Sequence, residues 1–368
     1  MDPTVVAAWI AAGVSVLTLV GTLAAQYLGR RATARDAEKA FAEQRRQLER
    51  TLDAQNRQLE RTLGEQRTRT FNERFATAAE QIGSDKPPEV RLAGVYAMAG
   101  LADDWAENRQ TCVDVLCAYL RMPYEPDPGQ DNRAAQLAFQ ASREIRHTVI
   151  RVVTAHLKEG AETSWQGLDF DFTGVVFDGG DFSGACFSGG TVTFAQAQFP
   201  SGAVSFHAAK FSGSTVSFEG AEFISGTVSF FLTEFSGGEV DFRYARFAGG
   251  SIDFRSSQFS GALVSFFEAV FSGGEVDFRG ATFSGGKLYF GDAVFSGGKV
   301  DFTGAGFTGA LVVFFHADFS GSAVDFTATR FSGGSVDFWG ARDWSYPPAF
   351  PWIDTPPLVV KLPDASSA

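Results

Sequence analysis

The pattern of apolar and polar positions changes character along the chain. Val5 to Ala25, VVAAWIAAGVSVLTLVGTLAA, holds 21 residues without a charge. As a helix rising 1.5 Å per residue it spans about 31 Å, the thickness of a bilayer's hydrocarbon core. A cleaved signal peptide is the alternative, but that would carry a basic flank before a shorter apolar core, and here MDPT precedes the run. Arg30, Arg31 and Arg35 follow it, and Asp2 is the only charge before it. The positive-inside rule therefore predicts a single-pass anchor over residues 1–29 in the inner membrane, with a short outside N-terminus and everything after it cytoplasmic. Trp9 and Tyr27 lie near the two ends of the run, as interfacial aromatics do.

Over residues 30–69 the pattern becomes a polar helix with one apolar stripe. RQLERTL occurs at Arg46 and again at Arg57, so Leu48, Leu52, Leu59 and Leu63 align, and Phe41 extends the stripe backwards. An 11-residue period favours a straight or slightly right-handed bundle of parallel helices, which predicts a homo-oligomeric, coiled-coil-like stalk. The plainer alternative is a single amphipathic helix folding back on the next domain. Residues 70–160 read as a small helical domain of four apolar segments at helical spacing, separated by GSDKPPE and PYEPDPGQDN. Cys112 and Cys117 fall on different faces of one predicted helix, as buried small hydrophobes do. For His147 and His156 no carboxylate or nucleophile partner is legible.

From about 165 to 343 the period shortens. Phe172, Phe177, Phe182 and Phe187 are five apart, and then twelve-residue units take over, such as EVDFRGATFSGG and KVDFTGAGFTGA, each with two Phe spaced five and then seven. Val276 with Phe278, and Ala281 with Phe283, put both side chains on one face of a very short strand, while Ser-Gly and Gly-Gly supply corners. No unit can bury its own Phe, so coils must stack about 4.8 Å apart into a solenoid, with Phe254, Phe259, Phe278, Phe283, Phe302 and Phe307 in the core.

These residues resemble the bacterial pentapeptide-repeat family, whose units carry Ala or Val, a variable residue, a central Leu or Phe, and two more. The resemblance runs from Phe172 to Phe338 and implies a right-handed quadrilateral β-helix with four pentapeptides per coil. This chain departs from the family pattern by a two-residue insertion after every second pentapeptide. The helical segment before the repeat also looks like one that accompanies such repeats in membrane-anchored bacterial proteins. The fold class expected is thus α plus an all-β solenoid. A coil of 12 residues competes with one of 24. Asp253, Asp277, Asp301 and Asp325 recur every 24, and Leu263 and Leu311 fit the same register, which favours 24. The repeat breaks off at DFWGARDWSYPPAFPW, where Asp343 stands at an expected Phe, and residues 344–368 read as a Pro- and Trp-rich cap and flexible tail.

Composition narrows the function. Three Cys and four His in 368 residues exclude a disulfide framework and an obvious metal module, and a net charge of −12 argues against direct nucleic-acid binding. No catalytic triad, phosphate-binding loop or cofactor fingerprint is present, so neither an enzyme nor a cofactor is expected. Residues 165–346 carry 13 Asp and 6 Glu against 6 Arg and 3 Lys, an acidic rod. The Asp column is either a plain solvated face, relieved by same-face pairs such as Asp253 with Arg255 and Asp277 with Arg279, or a recognition surface. Phe267, Phe315 and Trp339 are candidates for an apolar stripe that receives a protein partner, against ordinary surface aromatics. The expectation is a membrane-anchored, non-enzymatic scaffold with an unknown protein partner. The alternative is a DNA-mimicking inhibitor or protector of a topoisomerase-type enzyme, which the resemblance brings with it.

Overall fold

The computed structural model describes residues 2–83, 85–124, 127–129, 131–352 and 355–363; the side chains of Val5 and residues 31–37 are not described. The flanking charges Arg31 and Arg35 and the end of the expected tail therefore lie outside the described residues. The chain forms two compact units, Met1–Thr70 and Phe71–Ala368.

The first unit is a single helical rod. Helix α1 (Pro3–Ile82) has no Pro in its interior and runs unbroken through Gly64. Its segment Val6–Arg30 is long and apolar enough to cross a membrane, and protein buries none of it. The hydroxyls in the apolar run return to the helix's own carbonyls, Ser15 to Ala11 at 2.8 Å, Thr18 to Val14 at 2.8 Å and Thr22 to Thr18 at 2.9 Å, so they add no unsatisfied donor there. Further along, Phe41, Leu48, Leu52, Leu59 and Leu63 are all exposed.

In the second unit the last turns of α1 pack with α2 (Pro88–Asp104), α3 (Arg109–Arg121) and α4 (Arg133–Leu157). FNERFATAAEQI is thus the end of α1, and the other three predicted helices lie where the Pro and Gly clusters placed them. Met98, Leu101, Val113, Leu116, Val149 and Val153 are fully enclosed. Cys112 and Cys117 are buried free thiols, and burial pushes them up to about 11 and about 12, so they stay protonated and inert.

The solenoid follows. Short strands follow one another around each coil, some of them merging across a corner as in Val270–Asp277, and they pair in parallel with their equivalents in adjacent coils. Partners lie 24 residues apart, Phe235 with Phe259, Val276 with Val300, and Asp277 with Asp301, which excludes the 12-residue coil. The first coil is shorter, Phe170 pairing with Val192, because the corner after Phe177 lacks the two-residue insertion. Inside, each Phe stacks on its equivalents above and below. Phe278 lies 4.8 Å from Phe254 and 4.7 Å from Phe302, with rings within 4° of parallel, and meets Phe266 of the same level edge-on at 6.3 Å. Phe254, Phe259, Phe283, Phe302 and Phe307 are likewise buried.

Corners need special backbone. Gly238 takes φ +72°, and a β-carbon there would stand 2.2 Å from the Ser214 carbonyl oxygen of the previous coil. At the far end Trp344 takes over the aromatic column that Asp343 leaves vacant, packing edge-on to Phe319 at 5.2 Å. Phe350 stacks on Phe326, Trp352 stacks on Phe350, and Val360–Lys361 adds a last strand. These groups close the hydrophobic end of the stack.

Candidate functional site

The residue before the first Phe of each twelve-residue unit is usually Asp, Ser or Thr, and the structure gives the reason. Its side chain accepts the backbone N–H two residues on and so caps the corner: Asp253 from Arg255 at 2.9 Å, Asp277 from Arg279 at 2.9 Å, Asp301 from Thr303 at 2.8 Å and Asp325 from Thr327 at 2.7 Å. Ser229 and Ser265 do the same at 3.3 and 3.4 Å. The Asp at these positions thus has a local structural role, which Ser fills at other corners.

The same carboxylates are also covered. Arg255 binds Asp253 at 2.8 Å and reaches Asp277 at 3.6 Å; Arg279 binds Asp277 and reaches Asp301 at 3.7 Å; Lys299 lies 2.6 Å from Asp301. Asp253, Asp277 and Asp301 retain only 9%, 4% and 2% of their exposure, and Asp325 is half-buried. The same-face pairs expected from the sequence are formed, and from Asp253 to Asp301 they close into an ion-pair zipper, because an Arg two residues on is long enough to span one coil step. Burial pushes the Asp301 carboxyl up, but the hydrogen bonds from Lys299 and Thr303 outweigh it and hold it below the usual range.

Half a coil away lies the apolar edge. Successive hydrogen bonds, Tyr244 N–H to Phe267, Glu268 N–H to Gly291 and Asp292 N–H to Phe315, place Phe267, Gly291 and Phe315 on one column, which Trp339 continues. Gly291 has no side chain, so the Tyr289 ring lies over it and stacks on Phe267 at 5.9 Å. Tyr244 meets the other edge of Phe267 at 6.2 Å, and Phe315 stacks on Trp339 at 5.2 Å. Leu263 and Leu311 stand exposed beside them. One local rule is broken here. Tyr289 and Val313 occupy the capping position, where neither can cap a backbone N–H through a side-chain carboxylate or short hydroxyl. Tyr244 sits at φ +59°, as Gln196, Glu268, Asp292 and His316 do near that value at the equivalent corner of other coils, with Gly220 and Gly340 completing the column, so this left-handed corner belongs to the repeat as a whole.

A third cluster escaped the sequence. Asp178 sits in the shortened corner of the first coil, nearly buried, and gathers Tyr124 Oη at 2.6 Å, Arg143 Nε at 3.0 Å and His147 Nε2 at 3.1 Å. Ile150 of α4 fits against Gly180, φ +150°, where a β-carbon would stand 2.9 Å from it. Arg146, also buried, donates to the Leu120 and Val176 carbonyls at 2.7 and 2.9 Å, with its guanidinium 4.2 Å from the Tyr124 ring centre. His156 pairs similarly with Asp103 at 3.1 Å, and Trp165 Nε1 donates to the same carboxylate at 2.9 Å. Both histidines therefore have carboxylate partners, brought from 31 and 53 residues away. A groove of about 510 Å³ opens beside this clamp, lined by Tyr124, Phe139, Gln140, Arg143 and Pro200. Arg143 and Tyr124 are engaged by Asp178 rather than aimed into it.

Burial pushes the Asp178 carboxyl up, yet the hydrogen bonds from His147 and Tyr124 and the charges of His147 and Arg143 more than offset this and hold it below the usual carboxylate range. A carboxyl depressed in the folded state contributes stability that is present above its unfolded value and lost as pH falls through the folded one. Asp178 and Asp301 share that sign. The melting midpoint of the detergent-solubilised protein, followed by Trp fluorescence, is expected to hold from pH 7 to about 5 and to fall below about pH 4. A midpoint unchanged between pH 5 and 3 would contradict it.

Among the described residues no three His, Cys, Asp or Glu stand together as a metal site. His207 stacks on Phe231 and His316 on Phe315. Set against protein-family models, curated proteins and solved structures, the chain finds no match in any of the three.

Proposed function

We propose that this chain is a membrane-anchored, non-enzymatic scaffold whose solenoid is a right-handed quadrilateral β-helix of the pentapeptide-repeat type. The anchor holds it in the inner membrane with the solenoid in the cytoplasm, the stalk self-associates, and the edge formed by Phe267, Tyr289, Phe315 and Trp339 docks an apolar segment of a protein partner. One observation carries the docking role. On this edge the repeat gives up its corner caps at Tyr289 and Val313, in favour of half-buried aromatic and apolar side chains beside the exposed Trp339. Departures from a local structural rule without a structural gain concentrate at functional positions. DNA mimicry needs carboxylates open to basic groups, and Asp253, Asp277 and Asp301 are occupied by Arg255, Arg279 and Lys299.

The test is cross-linking in native membranes. The triple variant Phe267→Ser/Phe315→Ser/Trp339→Ser is expected to lose partners that both the unaltered protein and Gln258→Ser, on another column, retain. Partners that survive the triple substitution would remove the docking edge from the reading. Inhibition of a DNA topoisomerase, unaffected by the same substitutions, would move it to mimicry.

A further inference from the structure

The stalk of α1 exposes its stripe along its whole length, yet the stripe is not purely apolar. Gln44 follows Phe41 by three, Gln55 follows Leu52 by three, and Gln66 follows Leu63 by three. With Leu48 and Leu59 these residues form one exposed seam at spacings 3, 4, 4 that repeats every 11 residues. At about 100° per residue, Arg46, Arg50, Arg57 and Arg61 fall on the opposite face. We infer that the seam is covered by further copies of this same chain, in a parallel, in-register bundle with glutamine layers meeting one another at Gln44, Gln55 and Gln66. This rests on the self-association proposed above and not on the docking edge.

Three features select that occupant. A glutamine amide both donates and accepts, so it is complementary to its own copy, whereas lipid or a purely apolar partner would leave it unsatisfied. Arg46, Arg50, Arg57 and Arg61 point away from the seam, and of the flanking positions only 45 and 67 carry Arg, with Asn56 between them, so association sets no continuous row of like charges face to face. The seam also continues in the same helix as the membrane-crossing segment, so copies inserted alike run parallel. Register follows from two separate constraints. A slip of three, four or seven residues would set Gln against Leu, which the polar layers resist. A slip of 11 preserves every layer but displaces one span along the membrane normal by about 16 Å, half the hydrocarbon thickness. The 11-residue period itself calls for straight or right-handed packing.

Disulfide trapping on the full-length protein in isolated membranes tests this, since native Cys112, Cys117 and Cys186 are buried and give little background. A disulfide needs Cα atoms within about 7 Å, so Leu52→Cys and Gln55→Cys are expected to yield about five-fold or more covalent dimer than Arg50→Cys and Arg57→Cys. Co-expressed, size-tagged Leu48→Cys and Leu59→Cys chains should give almost no mixed dimer. Gln55→Glu should weaken trapping through Leu48→Cys by setting like charges together. Equal trapping on the two faces, or abundant 48–59 dimers, overturns the in-register seam while leaving self-association standing. A protein that sediments as a monomer with no trapping anywhere overturns both.

Discussion

Phe278→Ala is expected to lower the stability of the solenoid by about 3–5 kcal/mol, the cost of emptying a fully buried aromatic site that cannot collapse. The ring stacks on Phe254 and Phe302 and meets Phe266 edge-on, so its loss weakens three coils at once. Because each coil contacts only its neighbours, the damage should be local at first. Hydrogen exchange is expected to speed up across residues 254–302 before it does near Phe187 or Phe319. Phe278→Leu, which keeps much of the volume, should cost less than half as much. Uniform loss of protection along the rod, or an equal cost for both variants, would show that the coils unfold as one unit and that ring stacking contributes little.

Asp178→Ala is expected to have an effect of similar size through different physics. Removing this carboxylate leaves Arg143 and His147 facing a nearly buried gap and deprives Tyr124 Oη of its acceptor. Removing one member of such a buried set costs about 3–5 kcal/mol, most of it from the groups left unpaired. The lesion lies where α4 covers the first coil, so limited proteolysis should open the chain between α4 and Phe170 while the later coils stay protected. Asp178→Asn, which keeps an acceptor but not the charge, should fall between the two. A stable Asp178→Ala protein would mean that Ile150 on Gly180 and the Arg146 bonds to Leu120 and Val176 hold the cap unaided.

Much of the architecture is determined by the sequence because its causes are local and repeat. The run from Val5 to Ala25 is one helix whatever surrounds it, and Phe at intervals of five and seven forces short strands to stack. The 24-residue coil was legible in Asp253, Asp277, Asp301 and Asp325, since the cap position, which returns every 12 residues, is Asp on this side of the coil and Ser265, Tyr289 or Val313 opposite. The pairs of Asp253 with Arg255 and Asp277 with Arg279 were legible too, two residues apart on one face. What a linear sequence does not show is that Arg255 also reaches Asp277 of the next coil. The aromatic edge was half visible: Phe267 and Phe315 share a register by arithmetic, while the Tyr289 ring filling the space over Gly291 is a contact between side chains on different turns.

The clamp around Asp178 was not legible at all. Tyr124, Arg143, His147 and Asp178 come from a loop, a helix and a coil corner, in no periodic relation, and only the docking of α4 onto the shortened first coil gathers them. Periodicity encodes which face a residue occupies, because that depends on its immediate neighbours along the chain. What lies opposite that face depends on how whole elements pack, and that only the tertiary structure decides.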